Sequence, residues 1–247
     1  MLSQLEKEEA DWDVAFGVSA DALEEGKEYW QTGKDAWTGY SAVSFVILYN
    51  TNVVTYRELP TGWDSLLEPR WKGRVAVPDP LKSDMAASVL TEAAKNSEKE
   101  EFLDLLAENM QYQMPETFKE VEQGISDGRY SIGVTSEEAA KAMLAAGQDV
   151  DYIDPEEGEC FFEDGTAIRK RTPNLDASEA FVTYTTCDDT KWLLRTQLLR
   201  QPAEDVAAEN DRSDEDLKQR YSRQQEVLNI WKLIMEEKSG SAHEQEQ

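Results

Sequence analysis

The 247-residue sequence predicts an α/β fold in which mixed, mostly parallel sheets are covered by helices. Two observations carry this. Short apolar runs of strand length alternate with stretches in which apolar residues recur at helical spacing. At the junctions between them stand small, hydroxyl or acidic residues, the pattern of a strand that ends and a helix that begins.

The strand-like runs are Val14 to Phe16, Ala42 to Tyr49, Arg74 to Val77, Tyr130 to Val134, Val150 to Ile153 and Gly165 to Ile168. Between them, Ala86, Val89, Leu90 and Ala93 follow the i, i+3, i+4, i+7 rule, and so do Ala139, Ala142, Met143 and Ala146, with Gly147 as a stop. Phe118, Val121 and Ile125 mark a third helix. After the acidic, weakly apolar stretch from Ala203 to Asp216, Val227, Ile230, Trp231 and Ile234 predict a C-terminal helix. The polar tail "KSGSAHEQEQ", with the chain's one histidine, His243, reads as disordered. No internal repeat is present.

Composition excludes several classes. With 25 basic and 51 acidic residues the formal charge is −26, which argues against nucleic acid and anionic membrane surfaces, because binding a polyanion relies on basic patches. The longest apolar run, "AVSFVILY", is far short of the ~20 residues needed to span a bilayer. The first residues, "MLSQLEKEEADWD", show neither the basic nor the apolar region of a secretory signal. Cys160 and Cys187 define no disulfide framework or zinc spacing and are expected to be ordinary thiols, with a disulfide between them as the alternative. No GxSxG, phosphate-cradling loop or zinc motif occurs, and no cofactor is expected. Glu137 and Glu138 adjoin, but neighbours on a helix point about 100° apart and cannot readily flank one bond as an acid–base pair. Binding rather than catalysis is the expectation.

Four helix starts share a design: "FGVSADAL" with Ser19, Ala20 and Asp21; "PDPLKSDMAAS" with Lys82, Ser83, Asp84 and Met85; "QMPETF" with Glu116 and Thr117; and "GVTSEEAA" with Thr135, Ser136, Glu137 and Glu138. Each is an ordinary N-cap on its own. Together they could present N–H groups, hydroxyls and positive dipole ends to one ligand, because crevices in open α/β sheets lie beyond the carboxyl ends of the strands.

In order, "DVAFGVSADAL", "WTGYSAVSFVILYNTNVV", "LPTGWDSLLEPRWKGRVAVPDPLKSDMAAS", "GISDGRYSIGVTSEEAAKAMLAAGQDVDYIDPEEGE" and "DGTAIRKRTPNLDASEAF" resemble the extracellular solute-binding proteins of ATP-binding-cassette importers, in the ferric-iron-type periplasmic group. The resemblance covers nearly the whole chain. It implies a two-lobed, type II periplasmic-binding-protein fold whose lobes close on a ligand, with "YNTNVV" as first crossover and "DPEEGE" as return. The lobes would be residues 1–50 with 155–200, and 51–154; residues 201–238 would pack back on them, and 239–247 would form the disordered tail. "WDSLLEPRWKGRVAV" would be the entry helix and first strand of the second lobe, which leaves Arg70, Lys72 and Arg74 as solvated or paired surface charges. Only thirteen residues precede Val14, so the first lobe is expected to be N-terminally truncated, lacking strands that relatives have.

The implied partners are a small-molecule or metal-complex ligand and the permease and ATPase of an importer, and the implied location is extracytoplasmic. Site residues expected on this reading are Ser19, Ala20, Asp21, Trp37, Tyr40, Lys82, Ser83, Asp84, Glu116, Thr117, Thr135, Ser136 and Glu137. The serines and threonines would hydrogen-bond the solute, and Trp37 or Tyr40 would wall it. The ligand would be a ferric iron complex or a small organic or phosphorylated anion. Ferric members of the group typically use adjacent tyrosines, and no Tyr-Tyr pair occurs here. The acids Asp21, Asp84, Glu137 and Glu138 would instead favour a cation or a hydroxyl-rich solute. A sensing module without transport, or an inactive fragment, is the alternative.

Overall fold

The computed structural model describes residues 12–31, 36–205 and 214–245, with side chains of the last helix described from 216 to 238. The side chain of His243 therefore lies outside the described residues, as do residues 206–213 of the acidic stretch.

In chain order the elements are β1 (Val14–Ser19), α1 (Ala20–Glu25), β2 (Thr38–Asn50), β3 (Val75–Ala76), α2 (Asp84–Asn96), α3 (Phe102–Asn109) and α4 (Phe118–Ser126). There follow β4 (Ile132–Ser136), α5 (Glu137–Ala145), β5 (Val150–Ile153), β6 (Cys160–Ile168), α6 (Leu175–Thr185), α7 (Asp188–Leu193), a π turn, β7 (Gln201–Pro202) and α8 (Asp214–Gln245). They form two compact units, residues 1–43 with 162–223 and residues 44–161 with 224–247. The chain passes from the first to the second inside β2, a single strand of thirteen residues.

In unit 1, β1 pairs antiparallel with β6, Ser19 opposite Asp164, and β7 pairs with β2 at Ser41 and Ala42. Val18, Ala22, Leu23, Trp30 and Ala167 form its core, and the Trp30 indole N–H donates to the Leu23 carbonyl at 2.9 Å, so the largest buried ring keeps its polar atom satisfied. In unit 2, β2 lies between β4 and β5, antiparallel to both, and β3 pairs parallel with β4. Val46, Leu48, Ala76, Val121, Ile125, Ala140, Met143 and Val150 pack α4 and α5 onto this sheet. Each valine, leucine, isoleucine or methionine among them contributes about 1.5–3 kcal/mol on burial. Gly147, at φ +72°, ends α5 as expected: its N–H donates to the Leu144 carbonyl, and that of Gln148 to the Met143 carbonyl.

The sheet is mixed, but antiparallel pairs outnumber the parallel one among the described strands, contrary to the expectation of mostly parallel sheets. The reason is β2. Strands β4 and β5 are joined by α5 as in a parallel crossover unit, yet β2 is inserted between them and runs the other way. Two further differences concern short segments. "WDSLLEPRW" forms 3₁₀ turns, Trp63–Leu67 and Pro69–Trp71, rather than an entry helix; Pro69 lacks the N–H a continuous helix would need. The backbone of α8 continues to Gln245 where a disordered tail was expected from 239, since extending an established helix avoids the nucleation cost.

Neither Cys160 nor Cys187 forms a disulfide. Arg70 and Lys72 pair with Glu68 and Glu108 at 2.7 and 2.6 Å, which makes them surface ion pairs. No described helix is long and apolar enough to cross a membrane.

Candidate functional site

Three of the four expected helix starts come together in unit 2. Because β3 and β4 are parallel neighbours, Ala76 opposite Gly133, the segments leaving their carboxyl ends emerge on one edge of the sheet: Ser83 caps α2 and Ser136 caps α5. Helix α4 precedes β4 and lies against it, so its start returns to the same edge. Phe118 in its first turn stacks on Phe45, with ring centroids 5.5 Å apart, and Phe45 is the cross-strand partner of Ser136. The loops are tied as well: the Asp79 N–H donates to the Pro115 carbonyl at 2.9 Å, and Lys82 pairs with Glu116.

At each start a hydroxyl accepts a backbone N–H of the first turn: Ser83 from Ala86 at 3.2 Å, Thr117 from Glu120 at 3.2 Å, Ser136 from Ala139 at 3.3 Å. The remaining first-turn N–H groups and the dipole ends place positive partial charge at this edge. Its carboxylates are largely tied up. Glu116 faces Lys82, whose ammonium is held above the usual lysine range chiefly by that hydrogen bond. Glu137 pairs with Lys141 at 2.6 Å and accepts from Ser44 at 3.3 Å and Tyr152 at 3.5 Å. Asp84 is exposed in the first turn of α2, and its carbonyl accepts from the Gln224 amide at 3.3 Å.

Thr135 does not join this group. Side chains alternate along a strand, so next to Ser136 it points to the opposite face. There it is fully buried and donates to Glu122 of α4 at 2.8 Å. Glu122 is half-buried, and burial pushes its carboxyl above the usual carboxylate range against the opposing effects of Thr135 and Lys119. The local mark of this residue is its phase: Glu122 stands four after Phe118 and three before Ile125, an acid inside the apolar stripe of α4.

Five of the expected site residues belong to unit 1. Ser19 caps α1 and accepts from Ala22 at 3.3 Å; Ala20 is buried, and Asp21 is buried and lies 3.6 Å from Arg220. Trp37 is drawn to the other end of α1, where its indole N–H donates to Glu24 at 3.1 Å, and it lines a cavity of about 620 Å³ together with Tyr40, Lys27 and Lys191. It therefore does not wall the Ser19 end, because Glu24 lies in the last turn of that helix. Tyr40 stacks on Phe16 at 4.7 Å, and burial, with the Asp164 carboxylate nearby, pushes its hydroxyl up to about 12, which keeps it a donor. A buried ion pair in unit 1 has no local sequence signal: Asp164 accepts from Arg200 at 2.6 Å and from Ser41 at 3.0 Å. An acid within "FFEDGTAI" and an arginine before "QP" were visible, but nothing in the sequence joins positions thirty-six residues apart.

Of the tyrosines, Tyr40 stacks on Phe16, Tyr152 donates to Glu137, and Tyr184 is exposed on α6. Among the described residues no group of three or more His, Cys, Asp or Glu is placed to hold a metal.

Comparison with known proteins fits this geometry. Residues 15–225 match the family described as bacterial extracellular solute-binding protein. Among solved structures, a ferric binding protein from Campylobacter jejuni superposes with a TM-score of 0.75 at 13% identity, over 94% of this chain and 86% of that one. The periplasmic binding protein AfuA from Actinobacillus pleuropneumoniae, with exogenous fructose-6-phosphate bound, gives 0.77 at 15% identity, over 95% and 86%. A protein described as mediating two-component signal transduction gives 0.68 at 19% identity, over 88% and 79%. At these identities the structures establish a shared fold. No curated protein matches the chain.

Proposed function

The chain belongs to the bacterial extracellular solute-binding protein family, and on that footing we propose that it captures a small phosphorylated or carboxylated solute for an ATP-binding-cassette importer. The observation that carries the reading is the convergence of the Ser83, Thr117 and Ser136 helix starts on one edge of unit 2. Backbone N–H groups and dipole ends select negative charge, and a hydroxyl at each start can re-aim its hydrogen bond toward an oxyanion. Lys82, at the same edge, adds a cation. The function is differential affinity and involves no bond-making, so the elements that matter are those that fix these groups before the solute arrives.

A phosphorylated solute is favoured over bare ferric iron because three helix starts are grouped and the sequence has no adjacent tyrosine pair. The structural relative solved with fructose-6-phosphate supports the first chemistry, and the ferric binding relative supports the second. The family match supports extracytoplasmic location and delivery to a permease. The relative described as mediating two-component signal transduction supports a second reading, in which the loaded protein reports its solute to a sensor. Both readings need the same binding site.

Thermal unfolding against fructose 6-phosphate, inorganic phosphate, citrate, ferric citrate, glucose and spermidine tests the ligand class. A concentration-dependent rise in Tm with a phosphorylated or carboxylated compound, without iron, is expected; at a hundredfold excess over Kd it corresponds to about 2.7 kcal/mol. A rise with ferric citrate but not citrate would transfer the assignment to iron, and a rise with spermidine alone would overturn anion selection.

A further inference from the structure

The polar residues of α4 form a stripe of their own. Lys119, Glu122, Gln123 and Ser126 recur at i, i+3, i+4 and i+7, beside the apolar stripe whose Val121 and Ile125 are fully buried in the unit 2 core. These four side chains line one groove of about 740 Å³ within unit 2. Met143 of α5 lines it too, with Gln148 from the turn after α5, and Asp127 and Arg129 from the turn after α4. A concavity of this size accommodates a small molecule.

The charges along the groove are not equivalent. Asp127 and Arg129 satisfy each other: the guanidinium donates to the carboxylate at 2.9 Å and also lies over the Tyr130 ring. Glu122 and Lys119 remain. Neither is in an ion pair among the described residues, although the ammonium's field reaches the carboxylate and opposes the effect of its burial. Glu122 is half-buried and accepts one hydrogen bond, from Thr135 of the sheet at 2.8 Å, which leaves most of a carboxylate's acceptor capacity unused. One acid and one base, three residues apart on the same helix, thus offer opposite charges to one small space without closing on each other. The amides of Gln123 and Gln148 and the Ser126 hydroxyl add hydrogen-bonding groups, and the buried Met143 adds an apolar patch.

We infer that this groove binds a small zwitterion of the α-amino-acid type, its ammonium on Glu122, its carboxylate on Lys119 and an apolar side chain against Met143. A ligand with a positive charge alone would be repelled by Lys119, and one with a negative charge alone by Glu122, so a ligand carrying both is selected. None of the groove residues is Ser83, Thr117 or Ser136, and this binding stands or falls separately from anion capture at the helix starts.

The test is isothermal calorimetry with L-leucine, with leucinamide, which lacks the carboxylate, and with N-acetyl-leucine, which lacks the ammonium. The native chain is expected to bind leucine at least about tenfold more tightly than either derivative. Glu122→Gln, which keeps an acceptor for Thr135, is expected to bind leucine about tenfold more weakly and no better than N-acetyl-leucine. Lys119→Met is expected to show the same loss and to bind leucine no better than leucinamide; Lys119 is exposed, so this variant keeps the readout should Glu122→Gln unfold. Ser83→Ala/Ser136→Ala is expected to bind leucine as the native chain does. Absence of leucine binding to the native chain at millimolar concentration overturns the proposal. So does equal leucine binding by the native chain and both groove variants, or a loss confined to Ser83→Ala/Ser136→Ala, which would move leucine to the helix starts. Tighter binding of leucinamide or of N-acetyl-leucine than of leucine would make the groove a cation or an anion site and overturn it likewise.

Discussion

At the scale of single residues, two buried polar contacts set the strongest constraints. Asp164 is 5% exposed and held by Arg200 and Ser41, so removing the guanidinium strands a buried carboxylate. Arg200→Ala is expected to destabilise the protein by about 3 kcal/mol, since breaking a buried pair costs more than its net worth; urea denaturation showing a loss below about 1 kcal/mol would contradict the buried-pair account. Glu122 works in the opposite sense. Burial raises its carboxyl above the 4.5 of an unperturbed glutamate, so the folded state binds a proton more readily than the unfolded one. Its destabilising effect is fully developed above the raised value and vanishes below the unfolded one. Glu122→Gln keeps an acceptor for Thr135, and is expected to equal or exceed the native stability at pH 7, with the difference closing as the pH falls toward 4. A variant that is less stable at pH 7 would show that the charge itself stabilises.

At the scale of elements, the helix starts converge because α4 and β3 both press closely on β4. A β-carbon at Gly133 would stand 2.6 Å from the Ala76 carbonyl oxygen and 2.9 Å from Val121, the first of which is backbone and cannot swing aside. Gly133→Ala is therefore expected to cost about 2–3 kcal/mol and to weaken solute binding, measured by thermal unfolding and calorimetry; a variant of native stability would mean that this packing is loose. Much of this level was legible in the sequence. All six strand-like runs became strands, and Gly147 closed α5, because apolar alternation and a glycine stop are local signals. Strand direction was not local: only the pairing of β2 with β4 and β5 reveals that an antiparallel strand divides a crossover unit. The site was half legible. Ser83, Thr117 and Ser136 cap as their sequence pattern implies, whereas which face Thr135 takes follows from strand phase, and Trp37's attachment to Glu24 from packing across a segment no pattern spans.

At the scale of the molecule, a chain of net charge −26 that selects an anion must do so with local dipoles, since its overall field repels the solute. Raising salt should therefore speed association by screening that field while leaving the buried hydrogen bonds of the bound state nearly intact. The most direct test of the account is the anion-induced Tm shift of the native chain beside that of Ser83→Ala/Ser136→Ala, each variant compared with its own unliganded form because each lost cap lowers stability by about 1 kcal/mol. The account predicts that a phosphorylated solute raises the native Tm in proportion to log concentration and that the double variant needs at least about tenfold more solute for the same shift. If no anion raises the native Tm, or if native and double-variant proteins respond at equal concentrations, the helix starts of unit 2 do not hold the solute.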